Sequence, residues 1–326
     1  MKEPLITKKI LKWYDLNKRS LPWRKKVTVQ KKQYFTLVSE FMLQQTQVVT
    51  VIPYFNKFIK EVPNLKALSQ VQNKKLIKLW EGLGYYSRAK NLKKTAQLII
   101  KNFKGKLPNH FELLMSLPGI GNYTASAILA IAFNKPFIPL DGNIEIVLKR
   151  YLYLKKDKEI QKDVLSEKKS VFGISSRSSD YAQALMELGA LICKPINPEC
   201  NRCPVSKSCK SLKKNDFNLS KLKKKNKDKY FILKVYKKDK KYLLIKNTKF
   251  NFLKNLTIFP MEELIEPKNF DENFKFKMSN MNMSIKIKYL KNTKRLPSSY
   301  WFDKEKLDKY VLPTFTKKIV KHIERN

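Results

Sequence analysis

Leu117-Pro-Gly-Ile-Gly-Asn-Tyr-Thr-Ala-Ser-Ala-Ile128 decides how this 326-residue chain is read, because it sets a tight glycine turn between two helical segments. Gly119 and Gly121 let a backbone approach closely, and the amides opening the second helix lack intrahelical partners and can point at one phosphate. Ala125, Ser126, Ala127 and Ala130 are small enough for close helix packing. From these residues alone an ordinary inter-helix turn remains the alternative.

Upstream and downstream of this turn the pattern is helical. Apolar residues recur at helical spacing over Ile6–Leu16, Phe35–Gln45, Val48–Glu61, Leu65–Ala67, Asn73–Leu79, Arg88–Phe103, Phe111–Ser116, Tyr123–Phe133, Ile144–Tyr151 and Tyr181–Leu191. The pattern stops in a lysine-rich tract near Lys210–Tyr230 that reads as a solvated linker. Beyond it, Phe231–Tyr236 and Lys241–Ile245 form a strand pair around a charged turn, and Ser284–Leu290 alternates as a third strand. The expected organisation is a helical domain over 1–212, a linker over 213–229 and a smaller α+β domain over 230–326.

The net charge is +42, from 69 Lys plus Arg against 27 Asp plus Glu, which favours a polyanionic partner. The cations are 61 Lys and only 8 Arg, so compositional drift contributes, and an anionic membrane surface is a competing partner. The chain starts without a signal peptide or a long apolar span and reads as cytoplasmic, associated with the nucleoid if DNA is the partner.

The four cysteines, Cys193, Cys200, Cys203 and Cys209, fall as C-x6-C-x2-C-x5-C. In a reducing compartment four such thiols suggest a metal centre over two disulfides, with a [4Fe-4S] cluster or a structural zinc as the options. Pro195, Pro198 and Pro204 argue against a helix there, so residues 193–209 are expected to form a loop around the metal. His110 and His322, the only histidines, have no partner cluster.

Two carboxylates stand out. Glu40 lies among Leu37, Val38, Phe41, Met42 and Leu43, where burial would raise its pKa and make it a proton donor; a structural salt bridge is the bland alternative. Asp141 precedes Gly142 and an apolar helical run, which suits an N-cap and would hold the carboxylate ionised. Gln44, Gln45 and Thr46 could offer hydrogen bonds to base edges or form a solvated helix end.

Five segments in order carry a family resemblance: Leu21–Arg24, Ser39–Gln47, Glu81–Arg88, Leu117–Gly121 with Leu140–Asn143, and the four cysteines. The chain resembles the adenine-specific mismatch DNA glycosylases, the MutY family of the helix-hairpin-helix, Gly/Pro-Asp superfamily, closely over about residues 5–210. The resemblance implies an all-α helix-hairpin-helix body with a [4Fe-4S] cluster loop, followed by a Nudix-like domain. It also implies removal of adenine opposite 8-oxoguanine or guanine in double-stranded DNA, by a monomer with no membrane partner.

By the same resemblance Glu40 matches the general acid, Asp141 the stabiliser of an oxocarbenium-like sugar, and Asn143 its hydrogen-bonding neighbour. Tyr123 stands where strand-cleaving relatives place a Schiff-base lysine, which implies a glycosylase without a strong lyase step. Gln45 matches a wedge, Leu83 and Tyr85 match residues around the lesion, and Gly119 and Gly121 match the hairpin. Arg24 and Arg88, with Lys194, Arg202 and Lys207, would meet backbone phosphates.

Two departures accompany the match. Lys25–Lys32 is longer than the family pattern and reads as a surface loop. The family's Phe-Ser-His lesion reader aligns with Met278-Ser279-Asn280, retaining Ser279 and placing Asn280 where imidazole would be. No Nudix hydrolase signature is intact. An endonuclease III-like glycosylase for another base, a non-catalytic DNA-binding module and a zinc-holding RNA-binding protein remain as alternatives.

Overall fold

A computed structural model describes residues 4–154, 175–217, 227–265, 267, 269–278, 281–291, 296, 298–305, 310 and 312–325. The expected linker lies largely outside these, as do Ser279 and Asn280. The described residues fall into two compact units, Met1–Val71 with Ser87–Lys221, and Gln72–Tyr86 with Leu222–Asn326. Among them no helix is long and apolar enough to cross a membrane.

The first unit is all-α. Its elements are α1 (Leu5–Asn17), α2 (Val29–Leu43), α3 (Val48–Glu61), α4 (Leu65–Gln70), α6 (Ser87–Asn102), α7 (Phe111–Met115), α8 (Asn122–Phe133), α9 (Gly142–Leu152), α10 (Ser178–Glu187) and the short α11 (Lys210–Lys213); α5 (Asn73–Leu79) belongs to the second unit. Every residue of α2 from Tyr34 to Met42 is buried, as a helix that is apolar all round must be. α2 packs against α8, α3 and α6 and so forms the centre of the unit.

The start of α2 corrects the sequence reading. Helix begins at Val29, with the Thr28 side chain accepting from Lys31 N at 3.4 Å, so only Lys25–Thr28 of the lysine-rich stretch stays outside it. Lysine favours helix, and the cap stops fraying. At the other end, Arg88 donates to the carbonyls of Phe41 at 3.2 Å, Met42 at 2.7 Å and Gln44, satisfying groups that a helix C-terminus leaves open.

The second unit carries a mixed seven-stranded sheet with the path β3-β2-β1-β6-β5, in which β4 adds to β1 and β7 to β2. The strands are β1 (Lys227–Lys238), β2 (Lys241–Lys246), β3 (Thr257–Ile258), β4 (Met261–Leu264), β5 (Phe274–Met278), β6 (Met281–Leu290) and β7 (Ser299–Asp303). β1 and β2 form the expected hairpin, while β1 and β6 run parallel from Lys227 opposite Met281 to Tyr236 opposite Leu290. Inward residues of these strands and of α12 (Thr314–Ile323) share one core, which includes Phe231, Phe259, Phe302, Phe315 and Ile319. Glu81, C-terminal to α5, ties its segment in by accepting from Leu312 N at 3.3 Å and pairing with Lys317 at 2.8 Å.

Two parts of the expected fold class need correction. A mixed sheet with a helix laid on it is shared by many folds, so Nudix-like gives way to plain α+β. The [4Fe-4S] loop also falls: among the described residues no three or more His, Cys, Asp or Glu side chains are grouped so that they could hold a metal ion.

Candidate active site

Glu40 is buried at 4% exposure in the fourth turn of α2. Burial above all, with the negative charge of Asp141, pushes its pKa up to about 7 against a hydrogen bond from Tyr123 and the charge of Arg24, which pull the other way. Its Oε2 is buried with no hydrogen-bond partner among the described residues. A carboxyl so placed is near half-protonated at neutral pH and has one oxygen ready for a new partner.

Tyr123 lies in the first turn of α8, whose N-terminus follows the glycine hairpin. Desolvation and the neighbouring charges of Glu40 and Asp141 hold its phenol well above the ordinary range, so it donates and does not ionise. At Gly119 the hairpin is packed without slack. Gly119 has φ +83°, and a Cβ there would stand 2.9 Å from Phe41 Cε1 and 2.9 Å from Asn91 Cβ. Gln44 Nε2 donates to Gly119 O at 3.1 Å and to Thr124 Oγ1 at 3.3 Å, joining the end of α2 to this turn.

Asp141 is the N-cap of α9. Its Oδ1 accepts from Ile144 N at 2.7 Å and its Oδ2 from Asn143 Nδ2 at 2.8 Å. Those bonds favour the charged form, yet burial outweighs them and raises the Asp141 pKa above the usual carboxylate range. The expectation of a carboxylate simply held ionised by its cap is corrected to that extent: desolvation opposes the cap.

A protonatable acid and a capped carboxylate in electrostatic contact, beside a hairpin with free helix-start amides, fit a glycosylase site. Residues 38–169 match the model of the HhH-GPD superfamily of base excision DNA repair proteins. The adenine DNA glycosylase of Buchnera aphidicola subsp. Baizongia pistaciae is 36% identical over 346 residues, covering 97% of this chain and 96% of its own length. The chain belongs to the adenine DNA glycosylase family.

Human adenine DNA glycosylase shares 38% identity over 213 residues, covering 62% of this chain and 38% of the human one. Among solved structures, a thermostable thymine-DNA glycosylase superposes with a TM-score of 0.58 at 26% identity, over 64% of this chain and 96% of the other. A non-covalent Endonuclease III–DNA complex gives 0.53 at 21% identity, over 66% and 98%, and supports the fold alone.

Several of this adenine DNA glycosylase family member's residues lie elsewhere than their expected roles imply. Arg88 is spent on the end of α2. Arg24 donates from Nη1 to Glu187 Oε1 at 2.7 Å, and Arg19 pairs with the same fully buried carboxylate through Nε at 2.7 Å and Nη2 at 3.0 Å. Of the two arginines expected at phosphates, Arg24 thus sits in an internal ion pair and Arg88 on backbone carbonyls. Lys194 and Arg202 both pair with Glu199, the latter at 2.5 Å, while Lys207 is exposed.

Gln45 and Tyr85 are exposed and left-handed, at φ +55° and +46°, a conformation that costs a non-glycine residue about 1 kcal/mol or more. Thr46 Oγ1 donates to Gln44 O at 3.3 Å. Leu83 is buried within the second unit. Met278 ends β5, and its companions Ser279 and Asn280 lie outside the described residues.

The cysteine loop departs most from expectation. Cys193, Cys200, Cys203 and Cys209 line one small apolar pocket with Arg150 and Phe217, but they do not converge into a metal site. Burial raises the Cys193 and Cys200 thiols and pushes Cys203 up to about 11. The [4Fe-4S], zinc and metal-binding expectations are therefore withdrawn. What organises the loop is Arg150, which donates to the carbonyls of Cys193 at 3.3 Å, Lys194 at 2.6 Å and Pro195 at 2.8 Å. Arg150 and Glu187 were missed in the sequence, and their only signal was a charge inside an apolar helical run.

Proposed function

We propose that this chain hydrolyses the N-glycosidic bond of adenine mispaired with 8-oxoguanine or guanine in duplex DNA. Stacked adenine is out of reach of a buried acid, so the nucleotide must be extruded. Glu40 donates its proton to adenine N7, which makes the base a neutral leaving group as the N9–C1′ bond breaks. Asp141, held by Ile144 N and Asn143, offsets the positive charge developing on the sugar. Water adds at C1′ with its proton passing to Glu40, and free adenine and an abasic site result.

The buried Oε2 of Glu40 beside a pKa of about 7 carries this reading. Asp141 deepens it, because its charge keeps the neighbouring acid protonated. Tyr123 has no amine with which to form a Schiff base, so strand scission should require alkali. In this reading α8's first amides and Gly121 hold a backbone phosphate, Gln45 enters the helix, and the exposed Tyr85 meets the lesion. The protein acts as a monomer in the cytoplasm, at the nucleoid.

The experiment is adenine release from four duplexes that differ only in the base facing adenine, with and without later alkali. Release confined to 8-oxoguanine and guanine partners is expected, abolished in Glu40→Gln with duplex binding retained. Undiminished release by Glu40→Gln would remove the acid from the mechanism.

A further inference from the structure

We infer that Gly189 is a positioning residue for Asp141: its bare backbone lets the start of α9 settle where Asn143 can hold the Asp141 carboxylate. The inference rests on the role proposed for Asp141 above. Gly189 is buried just beyond α10, in a π turn over Leu188–Ile192. There the Cys193 amide donates to Leu188 O, five residues back, at 2.7 Å. A π turn widens the helix by one residue and is frequent where a helix must meet a site.

The contact leaves no room for a side chain. A Cβ on Gly189 would lie 2.4 Å from the Asn143 carbonyl oxygen, 2.6 Å from Asn143 Cβ and 2.7 Å from its carbonyl carbon. Two of these three atoms are backbone, so no rotamer change relieves the overlap, and the Gly142–Asn143 start of α9 must move. Asn143 Nδ2 is the donor to Asp141 Oδ2 at 2.8 Å, and Ile144 N, one residue on, is the donor to Oδ1 at 2.7 Å. Both of these bonds to the Asp141 carboxylate therefore hang on the segment Gly189 abuts.

Gly189→Ala should lower single-turnover adenine release about 100-fold, the cost of a misplacement near 1 Å. Affinity for a duplex carrying a non-hydrolysable adenosine analogue should stay within about threefold, since a purely orienting group acts on the rate and not on ground-state binding. With its hydrogen bonds weakened, Asp141 should hold a proton to higher pH, so the acidic limb of the rate profile moves upward. Asn143→Ala, which leaves the packing at Gly189 intact, should move that limb the same way.

Release within threefold of the parent in Gly189→Ala, or a lowered rate with an unmoved acidic limb, overturns the inference. Should Gly189→Ala fail to fold, an unmoved limb in Asn143→Ala overturns it equally, because Asn143 would then hold nothing for Gly189 to position. Asp141→Asn separates the two layers. Full activity there removes the role of Asp141 itself, whereas loss there with an active Gly189→Ala removes only the inference drawn here.

Discussion

The Tyr123 hydroxyl donates to the Glu40 carboxyl from the first turn of a helix that begins 82 positions later in the chain, and the other carboxyl oxygen is left buried and open. The pair explains how a carboxylic acid stays useful at neutral pH. Desolvation raises it, and the phenol limits the rise by favouring the anion.

Adenine release should fall as pH climbs through about 7, tenfold per unit beyond it, because protonated Glu40 is the reactive form. Tyr123→Phe deletes an interaction that favours the anion, so the falling limb should shift to higher pH. Single-turnover rates across pH 5–9 test both, and a rate that climbs from pH 6 to pH 8 would refute the assignment.

Folding stability carries the same signature with a defined sign. Glu40 binds its proton more tightly folded than unfolded, so ionising it costs stability, beginning near pH 4.5 and complete above about 7. Glu40→Gln should match the parent at pH 4 and exceed it by roughly 3 kcal/mol at pH 8, from about 1.4 kcal/mol per pKa unit. Urea titrations at the two pH values measure the difference, and equal offsets at both would contradict a buried acid.

Gly119→Ala should destabilise by about 2 kcal/mol, since the left-handed backbone and contacts at 2.9 Å to Phe41 and Asn91 both resist a methyl group. Gly121→Ala, with open space around its Cα and an extended φ of −103°, should cost under about 1 kcal/mol. Thermal unfolding of the two variants side by side is the check, and equal losses would mean that the hairpin is not packed as described.

Glu187→Ala leaves the Arg19 and Arg24 guanidinium groups facing an empty buried site and should cost about 3–5 kcal/mol. Arg19→Ala keeps the Arg24 partner, and the Arg19 side chain is 35% exposed, so its loss should be at most about 1 kcal/mol. Denaturant midpoints of both variants decide whether Glu187 anchors the Leu21–Arg24 turn.

Much of this site was legible in one dimension. The apolar surroundings of Glu40 announced burial, burial announced the direction of its pKa, and Asp141 before Gly142 announced a cap. The arginines misled because a charged residue in a basic chain looks like a phosphate ligand until its neighbours are known. Arg24 and Arg88 instead meet Glu187 and the end of α2, partners that no local pattern names. The cysteines misled for a related reason, since spacing shows that four sulfurs can approach one another but not whether they converge.

By itself the sequence determined the helical order of the first unit, the hairpin at Gly119, the chemical character of Glu40 and the capping place of Asp141, because periodicity, glycine and apolar context act within a few residues. The tertiary structure alone decided that Tyr123 meets Glu40, that Gln72–Tyr86 joins the sheet unit, and that Gly189 presses on Asn143. Those are contacts across long stretches of chain, and they are set by which buried surfaces fit together once the helices exist.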